Sequence, residues 1–309
     1  MKLCGTLFTP VSGRKGLLLL PEFHNLRTTA VMHMNDYEKN ALAVINTWEN
    51  PEPTIWSKVS DTVGKPFSLA GDAVMKVPGV QLVLSKSVDG IMSVCGDAAA
   101  ITVRTSAIFK EFCSAGYEVS THEHIREVPL EIIDRVVGYL DAKYKGLALT
   151  EGVITGVAGA PGIIADIPAL SALTLRAVFE YATYYGFDIS LQEERAYALE
   201  VLAYAATPVS AKSAVMIDLA RIGSAAARKK TWDEISKTGL STLIVNVAKQ
   251  LGYRLTKAKL AQVVPYIGSV VAGGFNAKYT ADVCESAYYL YRKRFLERKY
   301  DIVTVENGE

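Results

Sequence analysis

Half of the 309 residues are hydrophobic, and 33 basic side chains balance 32 acidic ones to a net charge of +1. The mean hydropathy is +0.18. A chain this long and apolar buries a large core, as one large domain or two intimate ones, and its charge balance excludes a general polyanion binder, so no nucleic-acid partner is expected.

Residues 1–33 carry Arg14 and Lys15, then Leu17, Leu18, Leu19 and Leu20 before Pro21. That apolar run is too short for the hydrophobic region of a secretory signal. We expect residues 1–33 to be an unstructured extension upstream of a true start at Met32 or Met34, with an ordered arm as the alternative. Asn35 followed three residues later by Glu38 reads as a capping box. It opens a helix over 36–48, stopped by Asn50-Pro51-Glu52-Pro53. Short helices are predicted over 55–62 and 67–76, and a mostly helical stretch over 80–116 with weak points at Gly90 and Gly96.

Ser120-Thr121-His122-Glu123 reads as a second capping box, starting a helix to about 128. Pro129 opens the next helix, which ends at Lys145 with Gly146 just past it. Residues 152–165 read GVITGVAGAPGIIA and hold no charge. Their glycines, Gly152, Gly156, Gly159 and Gly162, recur at spacings of four and three, on one helical face. There they allow close backbone approach. Gly159-Ala160-Pro161-Gly162 is predicted to break the helix into a turn. Asp166-Ile167-Pro168 then restarts it, with Asp166 as cap. The helix predicted over 168–185 is apolar almost all round, with Arg176 and Glu180 four apart as its charges. Such a helix is buried in a large core or a bilayer.

Further capping boxes at Ser190-Leu191-Gln192-Glu193 and Thr231-Trp232-Asp233-Glu234 predict helices to about 206 and 251. Thr256 begins another, interrupted by Pro265. Residues 260–277 are again uncharged and carry Gly268, Gly273 and Gly274. A last long helix is predicted over 269–300, with a frayed tail at 301–309. No alternating run demands a sheet. The fold class expected is all-α: one helical domain over 34–300, a compact multi-helix array around a central apolar, glycine-rich helical hairpin.

Chemistry is harder to find. Cys4, Cys95, Cys113 and Cys284 form no C-x-x-C pair and match no zinc spacing, which reads as reduced cytosolic thiols, three of them in helix cores. His122-Glu123-His124 with Glu127 does not place two imidazoles on one helical face, so no metal is expected. No phosphate-binding loop, dinucleotide fingerprint or nucleophile elbow is present, and no cofactor is expected. Glu151 and Asp166 flank the uncharged run, and with Arg176 and Glu180 they are the candidate functional or buried polar residues. Gly152, Gly156, Gly159, Gly162, Gly268, Gly273 and Gly274 are the candidates for close packing or membrane contact. Three readings compete for the hairpin: a core element with an internal ion pair, a membrane-contacting element, and an apolar ligand site. The interruption by Asp166 and the Gly-Pro turn favours the core over a spanning helix. The tyrosine-rich basic stretch 288–299 could suit an anionic membrane surface, although cations in a last helical turn need no further cause.

Several phrases carry a resemblance. They are Arg126-Glu127-Val128-Pro129-Leu130-Glu131 with Asp134, Glu151-Gly152-Val153-Ile154-Thr155-Gly156, and Ala165-Asp166-Ile167-Pro168-Ala169-Leu170. Arg176, Tyr185-Gly186-Phe187-Asp188, Glu194-Arg195, Pro265-Tyr266-Ile267-Gly268, Asn276 and Tyr291-Arg292-Lys293-Arg294 follow. In order and spacing they resemble the EcsC protein family of bacteria over about residues 36–300. The resemblance brings no catalytic residues with it. It implies a bacterial cytoplasmic protein at the inner face of the membrane, because the family takes its name from a gene beside an ABC transporter system linked to secretion. On that basis a membrane-associated or interaction protein is expected, with a membrane surface or membrane protein as partner. The alternatives are a hydrolase or lipid-handling enzyme with a carboxylate/Arg site, and a structural helical scaffold.

Overall fold

The computed structural model describes residues 33–50, 82, 85, 86, 89, 103–156, 159–207, 212–227, 252 and 272–300. The described part is all-α, as expected, and holds no strand. In chain order its helices are α1 (Asp36–Glu49), α2 (Thr105–Ser114), α3 (His122–Arg126), α4 (Leu130–Val137) and α5 (Leu140–Gly156). They continue with α6 (Gly159–Tyr184), α7 (Gln192–Ala205), α8 (Lys212–Ala227) and α9 (Ala272–Lys299).

The last helix organises the others. α9 packs against α5, α6 and α7, while α5 and α6 pack on each other and α7 carries α8. The helix directions follow from which residues meet. Tyr144 of α5, Glu180 of α6 and Cys284 of α9 are neighbours. Further along α9, Arg292 meets Asp134 of α4, and Asp134 also meets Tyr185 just past α6. So α9 runs antiparallel to α5 and parallel to α6. Their shared core is aromatic: Tyr144, Phe179, Tyr185, Phe187, Tyr291 and Phe295 are fully buried.

The local signals read from sequence hold where they are local. Asn35 Oδ1 accepts from the Glu38 N–H at 2.9 Å, and Glu38 Oε2 accepts from the Asn35 N–H at 3.1 Å. Both halves of the capping box are therefore made, as the spacing predicts.

Other expectations are corrected. The helix expected from Pro129 to Lys145 is two helices, broken at Gly138, and α5 runs through Gly146 to Gly156. Gly159-Ala160-Pro161-Gly162 is not a turn but the first turn of α6, where the missing proline N–H had no partner to lose. Nor does Asp166-Ile167-Pro168 restart a helix: α6 passes through it unbroken. Pro168 forfeits one backbone bond there. The buried length beyond it, with Leu170, Leu175, Val178 and Phe179 in the core, offsets that loss. Thr121, not Ser120, caps α3. Ser190 caps nothing. Its N–H is taken by Asp188 Oδ1 at 2.9 Å, and α7 begins after Leu191 without a side-chain cap. Cys113 is exposed on α2 rather than in a core, whereas Cys284 is buried.

The expectations for residues 1–32, 55–62, 67–76, 231–251, 256–271 and 301–309, and for Cys4, Cys95 and Gly268, lie outside the described residues. So do the side chains of Glu151 and Asp166.

Candidate functional site

Two ends of the bundle differ in chemistry. At one end, the C-terminal half of α9 is clamped by buried charge. Asp134 accepts from Arg292 Nε at 2.9 Å, from the Tyr37 hydroxyl at 2.8 Å and from the Tyr185 hydroxyl at 2.7 Å. Arg292 Nη2 also reaches Asp134 Oδ2 at 2.6 Å. One carboxylate thus ties α1, α4, the end of α6 and α9 together. Burial and the Asp134 carboxylate push the Tyr185 hydroxyl well above its usual range, so it stays a proton donor.

Two residues on, Arg294 grips Glu194 of α7 through both guanidinium nitrogens, Nη1 and Nη2. Its plane lies over Phe187 at 4.3 Å and Tyr197 at 4.2 Å. Both partners of this fork are buried, so each is costly to leave alone. At the end of α9, Lys299 Nζ and the Tyr300 hydroxyl donate to Glu38 at 2.7 and 2.6 Å. Burial alone would raise the Glu38 carboxyl. The bonds from Lys299, Tyr300 and the Asn35 N–H outweigh it and hold the carboxyl below its ordinary range. Lys293 adds a bidentate contact to Glu49 at 2.7 and 3.0 Å.

The turn between α6 and α7 makes this end possible. Gly186 has φ +77, and the Gly186 and Phe187 N–H groups return to the Thr183 and Ala182 carbonyls. This is a Schellman ending, which needs a left-handed residue. A Cβ on Gly186 would meet the His122 carbonyl oxygen at 2.8 Å. Glycine therefore also lets α3 seat against the turn.

Midway along the bundle sit two of the residues expected to matter. Arg176 and Glu180 do pair, but loosely, with Arg176 Nε 3.5 Å from the carboxylate. Lys143 of α5 takes the close contact at 2.6 Å, a partner that spacing within one helix could not reveal. The buried hydroxyls of α6 are settled locally. Ser171, Thr174 and Thr183 each donate to the carbonyl four residues back at 2.8–2.9 Å.

The other end carries the uncharged run 152–165, flanked on helical backbone by Glu151 of α5 and Asp166 of α6. At the helical rise, Gly156 ends α5 roughly 17 Å beyond Lys145, and Ala272 starts α9 about 18 Å before Cys284. Gly159 starts α6 about 32 Å before Glu180. The three helix ends therefore point away from the clamps, toward the opposite side of the bundle. They bring Gly152, Gly156, Gly159, Gly162, Gly273 and Gly274 to that side on helical backbone. Leu147 and Leu149 are exposed as α5 approaches it.

The expected sites divide accordingly. Arg176 and Glu180 come together, and the described glycines lie toward one side of the bundle. The sequence reasoning missed Asp134, Glu194 and Arg294 as a convergent network, although the phrases that hold them had been singled out. His122 and His124 face apart: His124 Nδ1 takes the Ser120 N–H at 3.3 Å, while His122 meets the Phe109 ring edge-on. Among the described residues no cluster of ligands is arranged to hold a metal. No helix among them is long and apolar enough to cross a membrane.

These features define, among the described residues, an all-α bundle organised by its last helix, with a charge-clamped pole and a glycine-rich one. The model of the EcsC protein family matches residues 39–296, and the chain belongs to that family. It is 26% identical to the uncharacterized protein YdbA of Bacillus subtilis (strain 168) over 262 residues, 83% of this chain and 92% of that protein. It is 28% identical to Protein EcsC of the same organism over 156 residues, 50% of this chain and 60% of that protein. No solved structure matches it.

Proposed function

We propose that this protein acts non-enzymatically at a membrane surface, on the cytoplasmic side, in the service of a transport or secretion system. Its glycine-rich pole would dock on lipid or on a membrane protein. The observation that supports this reading is the chemical polarity of the bundle. The buried carboxylates Glu38, Asp134, Glu180 and Glu194 each hold a cation in the middle or at the clamped pole. The glycine-rich ends of α5, α6 and α9 point toward the opposite one. Docking is superficial, since apolar contact without a span buries little of a helix. Arg292, Lys293, Arg294 and Lys299 are held in ion pairs, so these four cations of the basic stretch are not free to meet headgroups. Binding is then driven by apolar area, with weak dependence on salt.

Co-sedimentation of the full chain with phosphatidylcholine vesicles tests this. The expected result is capture that persists as salt is raised and is lost in L149E, which alters an exposed leucine of α5, with helicity and thermal unfolding unchanged. A chain that stays in the supernatant with both zwitterionic and anionic vesicles at low salt overturns the proposal. The enzyme reading, with Arg176 and Glu180 beside a pocket, has less support, because Lys143 and Arg176 already occupy the Glu180 carboxylate.

A further inference from the structure

The turn after α6 gathers Arg126, Arg294 and Arg298 beside the carboxylates of Glu123, Asp188 and Glu194. Seating α3 on Gly186 brings Arg126 against the turn: a Cβ on Gly186 would lie 3.4 Å from Arg126 Cγ. The Phe187 ring of the same turn carries two guanidiniums, Arg294 at 4.3 Å and Arg298 at 4.8 Å. Glu194 is the buried carboxylate among them, and Arg294 takes it with both nitrogens. Arg298 reaches it only at 3.8 Å, and Arg126 reaches the exposed Glu123 only at 3.7 Å. Neither contact is a hydrogen bond.

Three donors or acceptors are consequently buried with nothing to bond: Arg298 Nη1, Arg126 Nε and His122 Nε2. An unmet buried donor costs about 1–3 kcal/mol, and more on a charged group. Burial, with the positive charges of Arg294 and Arg126, pulls the Arg298 pKa down to about 10. Burial also lowers that of His122, against the pull of Asp188 and Glu123. Glu123 and Asp188 stand near the cluster, but neither bonds the three orphaned atoms. The Arg126 and Arg298 side chains are 33% and 24% exposed, so both meet solvent beside those buried atoms.

We propose that Arg126, Arg298 and His122 frame a binding site for a soluble phosphate-bearing anion at the Tyr185–Asp188 turn. Guanidinium forks match phosphate oxygens in geometry and charge. The site lies about 39 Å along α9 from Ala272, so a headgroup in a membrane docked at the glycine-rich pole is out of reach. The assignment does not rest on that docking.

The test is calorimetric titration of the full chain with inorganic phosphate and with pyrophosphate, against sodium chloride at matched ionic strength. Saturable binding is expected. R126Q and R298Q should each weaken it about tenfold, as losing one charge-assisted contact does. R135Q, which alters an exposed arginine paired with Glu131 on α4, should leave it unchanged. Arg126 is partly exposed, so R126Q carries the test if R298Q fails to fold. No saturable heat up to millimolar concentrations overturns the proposal, and so does an R135Q effect equal to that of R126Q. Capture on phosphatidic acid vesicles that R126Q abolishes, with no response to soluble phosphate or pyrophosphate, overturns the soluble-ligand assignment.

Discussion

The two poles of the bundle solve the same problem with different means. Each must hold α5, α6 and α9 or their neighbours in register. At the clamped pole, long side chains do it through directional contacts: Arg292 on Asp134, Arg294 on Glu194, Lys299 on Glu38. At the opposite pole the helices carry glycine at several positions, Gly152, Gly156, Gly159, Gly162, Gly273 and Gly274. Directional contacts fix geometry and fail abruptly when one partner is lost. Apolar, small-residue surfaces tolerate change and can exchange one partner for another. The clamped pole thus suits a frame and the glycine-rich pole suits an interface.

Substitutions that break or sharpen this contrast differ in size. The largest effect is expected for Arg294→Met, which leaves Glu194 buried without its fork. Urea unfolding should show a loss of about 3–5 kcal/mol, and adding Glu194→Leu should recover most of it. Gly186→Ala comes next. The residue would have to hold φ +77 with its Cβ against the His122 carbonyl, costing roughly 1–3 kcal/mol in the same assay. A smaller effect is set by pH. Because the Glu38 carboxyl is held below its ordinary value of 4.5, its contribution is present above that value and is lost as pH falls through the lowered one. Stability measured across that acid range should fall less steeply in Glu38→Gln than in the parent. The smallest effect lies toward the glycine-rich pole. Gly146 sits inside α5 with open space where a Cβ would go, so Gly146→Ala should stabilise by about 0.5–1 kcal/mol in thermal unfolding. A loss there would mean that α5 needs its glycines even where nothing touches them.

What was legible in the sequence follows range. The Asn35–Glu38 box and the limits of α1 are set by residues three apart, and they were read correctly. The all-α class was legible because helical spacing and caps recur along the chain. The turn at Gly159–Gly162 and the restart at Asp166–Pro168 were misread. Glycine and proline are local breakers, and burial further along α6 overrules them. Gly146 misled for the same reason. The polar network was invisible for a different one. Asp134 and Arg292 are 158 residues apart, and Glu194 and Arg294 are 100 apart, so no periodicity links them. Only the family phrases hinted that these segments belonged together. Arg176 and Glu180 were found because they share a helix. That is also why their closer partner, Lys143, was not.

The bond from Lys299 to Glu38 joins positions 261 apart in the chain. During synthesis, α1 leaves the ribosome early, but the cation of its capping carboxylate is the last residue of α9 to be made. The same holds for α5, α6 and α7, whose inner faces have α9 as their common cover. A ribosome paused before residue 272 therefore carries α5, α6 and α7 without the helix they share as a cover. Exposed apolar faces of that kind are what make an incomplete chain prone to aggregate.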